Sequence, residues 1–269
     1  MTVDSRFLNL PHLSTLTALA LPHPLLLVSV SGAHLYGFAS ADSDVDLRGV
    51  HLLPVPALLG LDLPKQTVTR AWKDNGLEID LVCHDVGKFL ALLLQQNGNY
   101  LEQLFSPLVV IETPWAEELR GLVRQGTIAR HVYHAYAGYA RGQWQMWQEE
   151  RQKGAARLKP LLYAYRVSLT GLHLLRSGEV NANLADLAPG YGFGHLLELI
   201  AAKQTEKATF ALPLDEHDSA LAGLQEQLRL AYETSPLPEK PTNRAALNDF
   251  LVRLRLSLGL EGGNERRVD

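Results

Sequence analysis

The spacing of apolar residues changes near residue 108. Upstream, short apolar runs are bounded by turn residues. Leu25 to Val30 is continuously apolar except for Ser29, as in a strand buried on both faces, and Val45 to Leu53 is a second strand closed by Pro54 and Pro56. Thr67 to Trp72 and Leu77 to Cys83 read as strands joined by the turn Lys73-Asp74-Asn75-Gly76. Helices are predicted over Leu13 to Leu21, with Ser14 as cap, and over Val86 to Leu94, with Asp85 as cap. Shorter ones are predicted within Gly32 to Phe38, Ala57 to Leu61 and Tyr100 to Phe105. After Val109 to Glu112 the period is helical: Trp115 to Arg124, Ile128 to Lys153, Leu158 to Ser177, His195 to Lys203, Asp215 to Thr234 and Asn243 to Leu258. The expected fold class is α+β, a mixed sheet with flanking helices followed by an all-α region. Residues 1–108 are expected to form the α/β domain, 109–260 a helical domain closing one side of a cleft, and 261–269 a disordered polar tail.

Composition narrows the function classes. The chain has 269 residues, 46% of them hydrophobic, which is enough for a sizeable core. A net charge of −4 gives no reason for general nucleic-acid or membrane binding, although a local basic groove stays open. One cysteine, Cys83, excludes an intramolecular disulfide and a thiolate zinc site, fits a reducing compartment, and reads as a buried strand residue. The start MTVDSRFLNL lacks a signal-peptide pattern and no apolar run is long enough to span a bilayer, so a cytoplasmic protein without membrane contact is expected.

The candidate chemistry sits in Ser31 to Val50, SGAHLYGFASADSDVDLRGV. Asp44 and Asp46 flank Val45 and fall on one side of an extended strand. Carboxylates this close repel unless a cation lies between them, and the hard ions Mg²⁺, Mn²⁺ and Ca²⁺ accept such oxygens. A third carboxylate, Asp80, lies on a strand that would run beside the pair, with Glu78 on the same face as the competing choice. Gly32 and Gly37 permit positive φ or close backbone approach to a ligand. Three carboxylates on neighbouring strands can hold two Mg²⁺ (or Mn²⁺) ions between a nucleotide's phosphates and an attacking hydroxyl, the layout of nucleotidyl transfer. Arg48 reads equally as an ion-pair partner of an aspartate. Lys159, Tyr163 and Arg166 share one helix face, and Tyr139 to Trp147 mixes basic and aromatic groups as a stacking surface for a strand would. For Trp144 and Trp147 packing is the plainer expectation, and His131, His134, His173 and His195 read as structural or surface groups.

Gly32-Ala33, Asp44-Val45-Asp46 and the distant Asp80 resemble the signature of the DNA polymerase β superfamily of nucleotidyltransferases. More narrowly, SGAHLYGFASADSDVDLRGVHLLP is similar to bacterial and phage nucleotidyltransferases with the pattern G-S-x-x-Y-G-x-x-x-x-x-S-D-x-D-x-R-G, some of them in RNA-repair operons. The match includes Tyr36, Gly37, Ser43, Arg48 and Gly49. The resemblance implies a polymerase-β-like catalytic sheet in which Asp44, Asp46 and Asp80 bind two metal ions. Ser31, Gly32, Ala33 and Ser43 would lie at the nucleotide, and Lys159 and Arg166 would reach its phosphates from the helical region. One departure stands out: the hydroxyl residue expected after the turn glycine is Ala33, although Ser31 precedes the glycine and backbone N–H groups of the turn remain to hold phosphate.

The expected function is metal-dependent transfer of NMP from an NTP such as ATP to an acceptor hydroxyl, with release of pyrophosphate. RNA or tRNA ends, a protein side chain and a small molecule are the candidate acceptors. The alternatives are a nucleotide-binding or antitoxin-like regulatory protein of the same fold, and a metal-dependent phosphohydrolase.

Overall fold

The computed structural model describes residues 21–74, 76–154, 156–205 and 214–261. The helix expected over Leu13 to Leu21 falls almost wholly outside these residues, as does the polar tail beyond Glu261. Among the described residues five strands form one mixed sheet: β1 (Leu25–Ser31), β2 (Val45–His51), β3 (Thr67–Asp74), β4 (Leu77–Asp85) and β5 (Val109–Glu112), in the order β3-β4-β2-β1-β5. β2 and β4 are parallel and the other pairs antiparallel. The chain leaves β2, forms β3 at the sheet's outer edge, and returns through a hairpin to place β4 against β2.

Burial follows the predicted alternation. Val45, Leu47, Ile79 and Leu81 are essentially inaccessible, so the residues between them on β2 and β4 face the other way. In β1, Leu26 to Val30 are all buried, as a central strand's apolar run requires. β4 extends two residues beyond the expected Cys83 because β2 keeps pairing with it as far as His51 opposite Asp85. Asp85 then caps the following helix by accepting from Gly87 N (2.8 Å), and also accepts from Leu53 N (3.1 Å) and Arg255 Nη2 (2.8 Å).

The helices in chain order are α1 (Gly32–Tyr36), α2 (Val55–Leu58), α3 (Val86–Leu94), α4 (Gly98–Leu104), α5 (Pro114–Leu122), α6 (Tyr133–Gln152), α7 (Leu158–Ser177), α8 (Leu184–Gly190), α9 (Leu196–Gln204), α10 (Leu214–Thr234) and α11 (Arg244–Glu261). α6 begins five residues later than the spacing predicts. The Gln96 side chain holds Ala129 N (2.8 Å) and Thr127 O (2.7 Å), and Arg130 N donates to Pro238 O (2.8 Å). These long-range bonds take up backbone groups that a helix would need. α8 was not expected from the sequence. Its start is marked by Asn183, whose side chain accepts from Ala185 N and Asp186 N.

α7 is the axis of the helical half, buried along most of its length and packed against α6 and α10. At its centre Arg166 is 1% exposed and donates through Nη1 to Glu102 Oε1 on α4, itself 2% exposed, at 2.7 Å. The guanidinium also lies over the Tyr36 ring, 3.8 Å from its centroid. Burial opposes the charge on Arg166, but the Glu102 carboxylate and Tyr36 outweigh it and hold the guanidinium above its usual range. Removing one member strands a charge in the core, whereas removing both does not. Arg166→Met should therefore destabilise the protein by about 3–5 kcal/mol in urea unfolding, and Arg166→Met/Glu102→Leu should recover most of that loss.

Candidate active site

β1 passes directly into α1, and the joint is Gly32 at φ +64°. A Cβ there would overlap Oδ2 of Asp46, so the carboxylate occupies space that only glycine leaves. The sheet register lines up Ser31 with Asp46 and Asp46 with Asp80 across three neighbouring strands. Asp46 is half-buried, while Asp44, just before β2, and Asp80 are exposed. Glu78 is drawn away into an ion pair with Lys73 across the β3–β4 hairpin, which leaves Asp80 as the β4 carboxylate beside Asp46.

Arg48 takes the ion-pair role that the sequence left open. Its Nη2 donates to Asp46 Oδ1 at 2.8 Å, and its Nη1 donates to the carbonyls of Leu47 (2.9 Å) and Asp80 (3.3 Å). Among the described residues no group of three His, Cys, Asp or Glu side chains converges in a metal-holding arrangement. The chemistry of the donors still suits Mg²⁺ or Mn²⁺: Asp44, Asp46 and Asp80 offer carboxylate oxygens, the hard ligands those ions take.

Asp46 is a wall between two cavities. The first, about 230 Å³, is lined by Ala33, Ser43, Asp44, Asp46, Lys159 and Lys203, among others. Lys203, at the end of α9, donates to Ser40 Oγ (2.8 Å) and Ser43 Oγ (3.3 Å), and the two hydroxyls lie 2.9 Å apart. The second, about 270 Å³, lies against Arg48, His84, Tyr100, Gln103 and Tyr139. A third, about 370 Å³, holds Tyr139, Gln143, Met146, Arg157 and Lys159. Tyr163 of α7 lines all three.

Of the residues predicted for the site, Ala33, Ser43, Asp44, Asp46 and Lys159 line the first cavity, and Ser31 and Gly32 the second. Arg166 does not join them. It follows Lys159 and Tyr163 along the same face of α7, but there the face has dipped into the core, where its partner is Glu102 rather than a ligand. From the aromatic stretch of α6, Tyr139, Gln143 and Met146 line these cavities, whereas Trp147 is fully buried and Trp144 Nε1 donates to Asp218 at 2.7 Å. His131 and His134 are exposed, tilted against each other, with His134 edge-on to Tyr133 and Tyr232. Burial pushes the Cys83 thiol up to about 12, which leaves it without nucleophilic character at neutral pH. Sequence reasoning missed Ser40 and Lys203. Lys203 ends a correctly predicted helix, but its meeting with Ser43 depends on a fold contact 160 residues apart in the chain.

The family described as the RNA repair pathway DNA polymerase beta family, RlaP, matches residues 12–253. The chain belongs to this family. The family and the mixed sheet carrying an Asp-x-Asp strand are those of a polymerase-β-like nucleotidyltransferase. An uncharacterized protein of Methanocaldococcus jannaschii, MJ0002, is 29% identical over 160 residues, covering 60% of this chain and 64% of that protein. The chain thus matches less than two thirds of that relative's length. Among solved structures, a nucleotidyltransferase-like protein from Exiguobacterium sibiricum 255-15 is 12% identical with a TM-score of 0.30, covering 96% of this chain and 79% of that one.

Two glycines with similar backbones separate strain from crowding at the site. Gly76, at φ +87°, has open space where a Cβ would go, whereas Gly32 has Asp46 there. Gly76→Ala should cost about 1–2 kcal/mol of unfolding free energy from backbone strain alone. Gly32→Ala should cost about 1–3 kcal/mol more, and the excess should vanish in an Asp46→Ala background.

Proposed function

We propose that the protein transfers a nucleoside monophosphate from an NTP to an acceptor hydroxyl, with release of pyrophosphate. The observation that carries this is the position of Asp46, in register with Asp80 and forming the shared wall of a lysine-bearing cavity and of one that holds Arg48 among polar groups and tyrosine rings. Asp44 and Asp46, joined by Asp80, are the residues that would hold Mg²⁺ or Mn²⁺, whose chemistry when bound is to acidify the attacking hydroxyl and neutralise the departing pyrophosphate.

The remaining roles follow from the lining of the first and third cavities. Lys159 and Lys203 take the triphosphate, with the Ser40 and Ser43 hydroxyls beside them. These hydroxyls stand in for the one missing at Ala33. The nucleobase lies in the third cavity, where Tyr139 and Met146 offer exposed apolar surface. In the transfer the acceptor oxygen bonds to the α-phosphorus and the bond from that phosphorus to the bridging oxygen breaks. The electron pair leaves with pyrophosphate, and an oxygen of the Asp80 carboxylate receives the hydroxyl proton. The family's description supports an RNA end as acceptor.

The test is incubation with each α-labelled NTP, Mg²⁺ or Mn²⁺, and short RNAs bearing a free 3′-hydroxyl. Label should pass to RNA with the wild-type chain and be lost with Asp44→Ala/Asp46→Ala. Lys203→Ala and Lys159→Ala should each weaken NTP binding about tenfold without unfolding the protein. No transfer under any condition, with NTP binding intact, would instead favour a nucleotide-binding regulatory protein.

A further inference from the structure

The second cavity has a chemistry that the NTP does not use. Its wall carries one guanidinium, Arg48, and is otherwise built from neutral hydrogen-bonding groups and tyrosine rings, with Asp46 at its edge. Two features make that wall a set of directed donors.

The first is a hydrogen-bonded chain behind Tyr100. Lys88 Nζ, which can only donate, meets Thr67 Oγ1 at 2.6 Å, and the Thr67 hydroxyl lies 3.0 Å from His84 Nδ1. The Thr67 oxygen keeps a second lone pair, so the direction of its bond to Nδ1 follows the His84 tautomer. The tautomer that would serve a ligand carries the hydrogen on Nε2 and accepts the Thr67 hydrogen at Nδ1. In that tautomer Nε2, 3.3 Å from Tyr100 Oη, donates to it, which turns the Tyr100 hydrogen toward the cavity. Burial, with the nearby Lys88 and Arg48 charges, lowers the His84 pKa and keeps the ring neutral, as this chain of donors requires.

The second is Gln103. It is 3% exposed, lines the same cavity, and its Nε2 has no hydrogen-bond partner among the described residues. A buried amide without a partner is costly to keep, which marks it as a donor for a ligand. Its backbone carbonyl is tied separately, accepting from Ser29 Oγ at 2.9 Å, so the helix position does not depend on the side chain.

We propose that this cavity receives the 3′-terminal nucleotide of a single-stranded RNA acceptor. Tyr100 and Gln103 donate to oxygen and ring-nitrogen acceptors of its base or ribose, Tyr139 gives the base a stacking face, and Arg48 meets the adjoining phosphodiester. The attacking 3′-oxygen thereby reaches Asp46 from the side opposite the triphosphate. At about 270 Å³ the space is near the lower end of ordinary ligand pockets, room for one nucleoside and not for a folded partner. The inference rests on the nucleotidyl-transfer reading for its reaction, but the binding site stands apart from it.

The probe is a 5′-fluorescent single-stranded hexaribonucleotide with a free 3′-hydroxyl, titrated against the full chain, with NTP affinity measured in parallel. Tyr100→Phe keeps the ring's packing on Phe89 and removes only the hydroxyl, and Gln103→Leu removes an amide whose nitrogen the fold leaves without a partner among the described residues. Each should weaken the oligonucleotide about five- to tenfold while NTP affinity stays within about twofold. Gln103→Leu should also leave the unfolding free energy unchanged or raised. Three results would overturn the proposal: no binding by the wild-type chain, unchanged oligonucleotide affinity in both variants, or a loss of NTP affinity in their place. Transfer of label to a protein side chain with no affinity for the oligonucleotide would overturn it as well. A chain that binds the oligonucleotide through these two residues but takes no NTP would sink the transferase reading and leave the RNA-end pocket standing.

Discussion

The close approach of Gly32 to the Asp46 carboxylate is the constraint on which the site depends. β1 must end, turn and begin α1 within one residue, and that residue takes positive φ while leaving its Cβ volume to a neighbouring strand's side chain. Sheet register does the rest. Because β2 pairs with β1 on one side and with β4 on the other, fixing Asp46 against Ser31 also fixes it against Asp80. A one-residue slip of β2 would turn Asp46 into the core and Val45 or Leu47 out of it. The buried alternation of Val45, Leu47, Ile79 and Leu81 is therefore what keeps the carboxylates on the open face.

The helical half is positioned by a second constraint of a different kind. The Arg166–Glu102 pair joins α7 to α4 within the core and brings Tyr36, at the end of α1, under the same guanidinium. Just under one turn before Arg166 α7 emerges at Tyr163, and about two turns before it at Lys159, so the buried pair sets the height at which these side chains meet the acidic strand. Lys203 arrives from α9 and holds both serines of the loop before β2. The lysines of the first cavity are thus brought from elements far apart in the chain, while the carboxylates that line it with them come from β2 and the loop just before it.

That division explains how much was legible in the sequence. Strand alternation, the Gly32 turn, the Asp44-x-Asp46 pair and Asp80 are local patterns, and they correctly predicted a mixed sheet with the Asp80 strand beside the Asp46 strand; the full strand order is read from the structure. Lys159 was legible as a cation on a helix face. The same spacing misassigned Arg166, because periodicity states which residues share a face but not where along a helix that face passes from solvent into the core. Lys203, Ser40, and the Tyr100–Gln103 cavity left no periodic trace, since each depends on a long-range meeting of elements. The late start of α6 has the same cause: Gln96 and Pro238 take up the backbone groups that local propensity assigned to the helix.

The central claim is that Asp44 and Asp46 would hold a divalent ion against a triphosphate taken by the two lysines. It is tested most directly by a crystal structure with Mn²⁺ and a non-hydrolysable NTP analogue, using the anomalous signal of manganese to locate the ion. The account predicts an anomalous peak on the Asp44 and Asp46 carboxylates, with the triphosphate against Lys159, Lys203 and Ser43. A peak elsewhere, or a triphosphate bound away from these residues with Asp46 still held by Arg48, would contradict it.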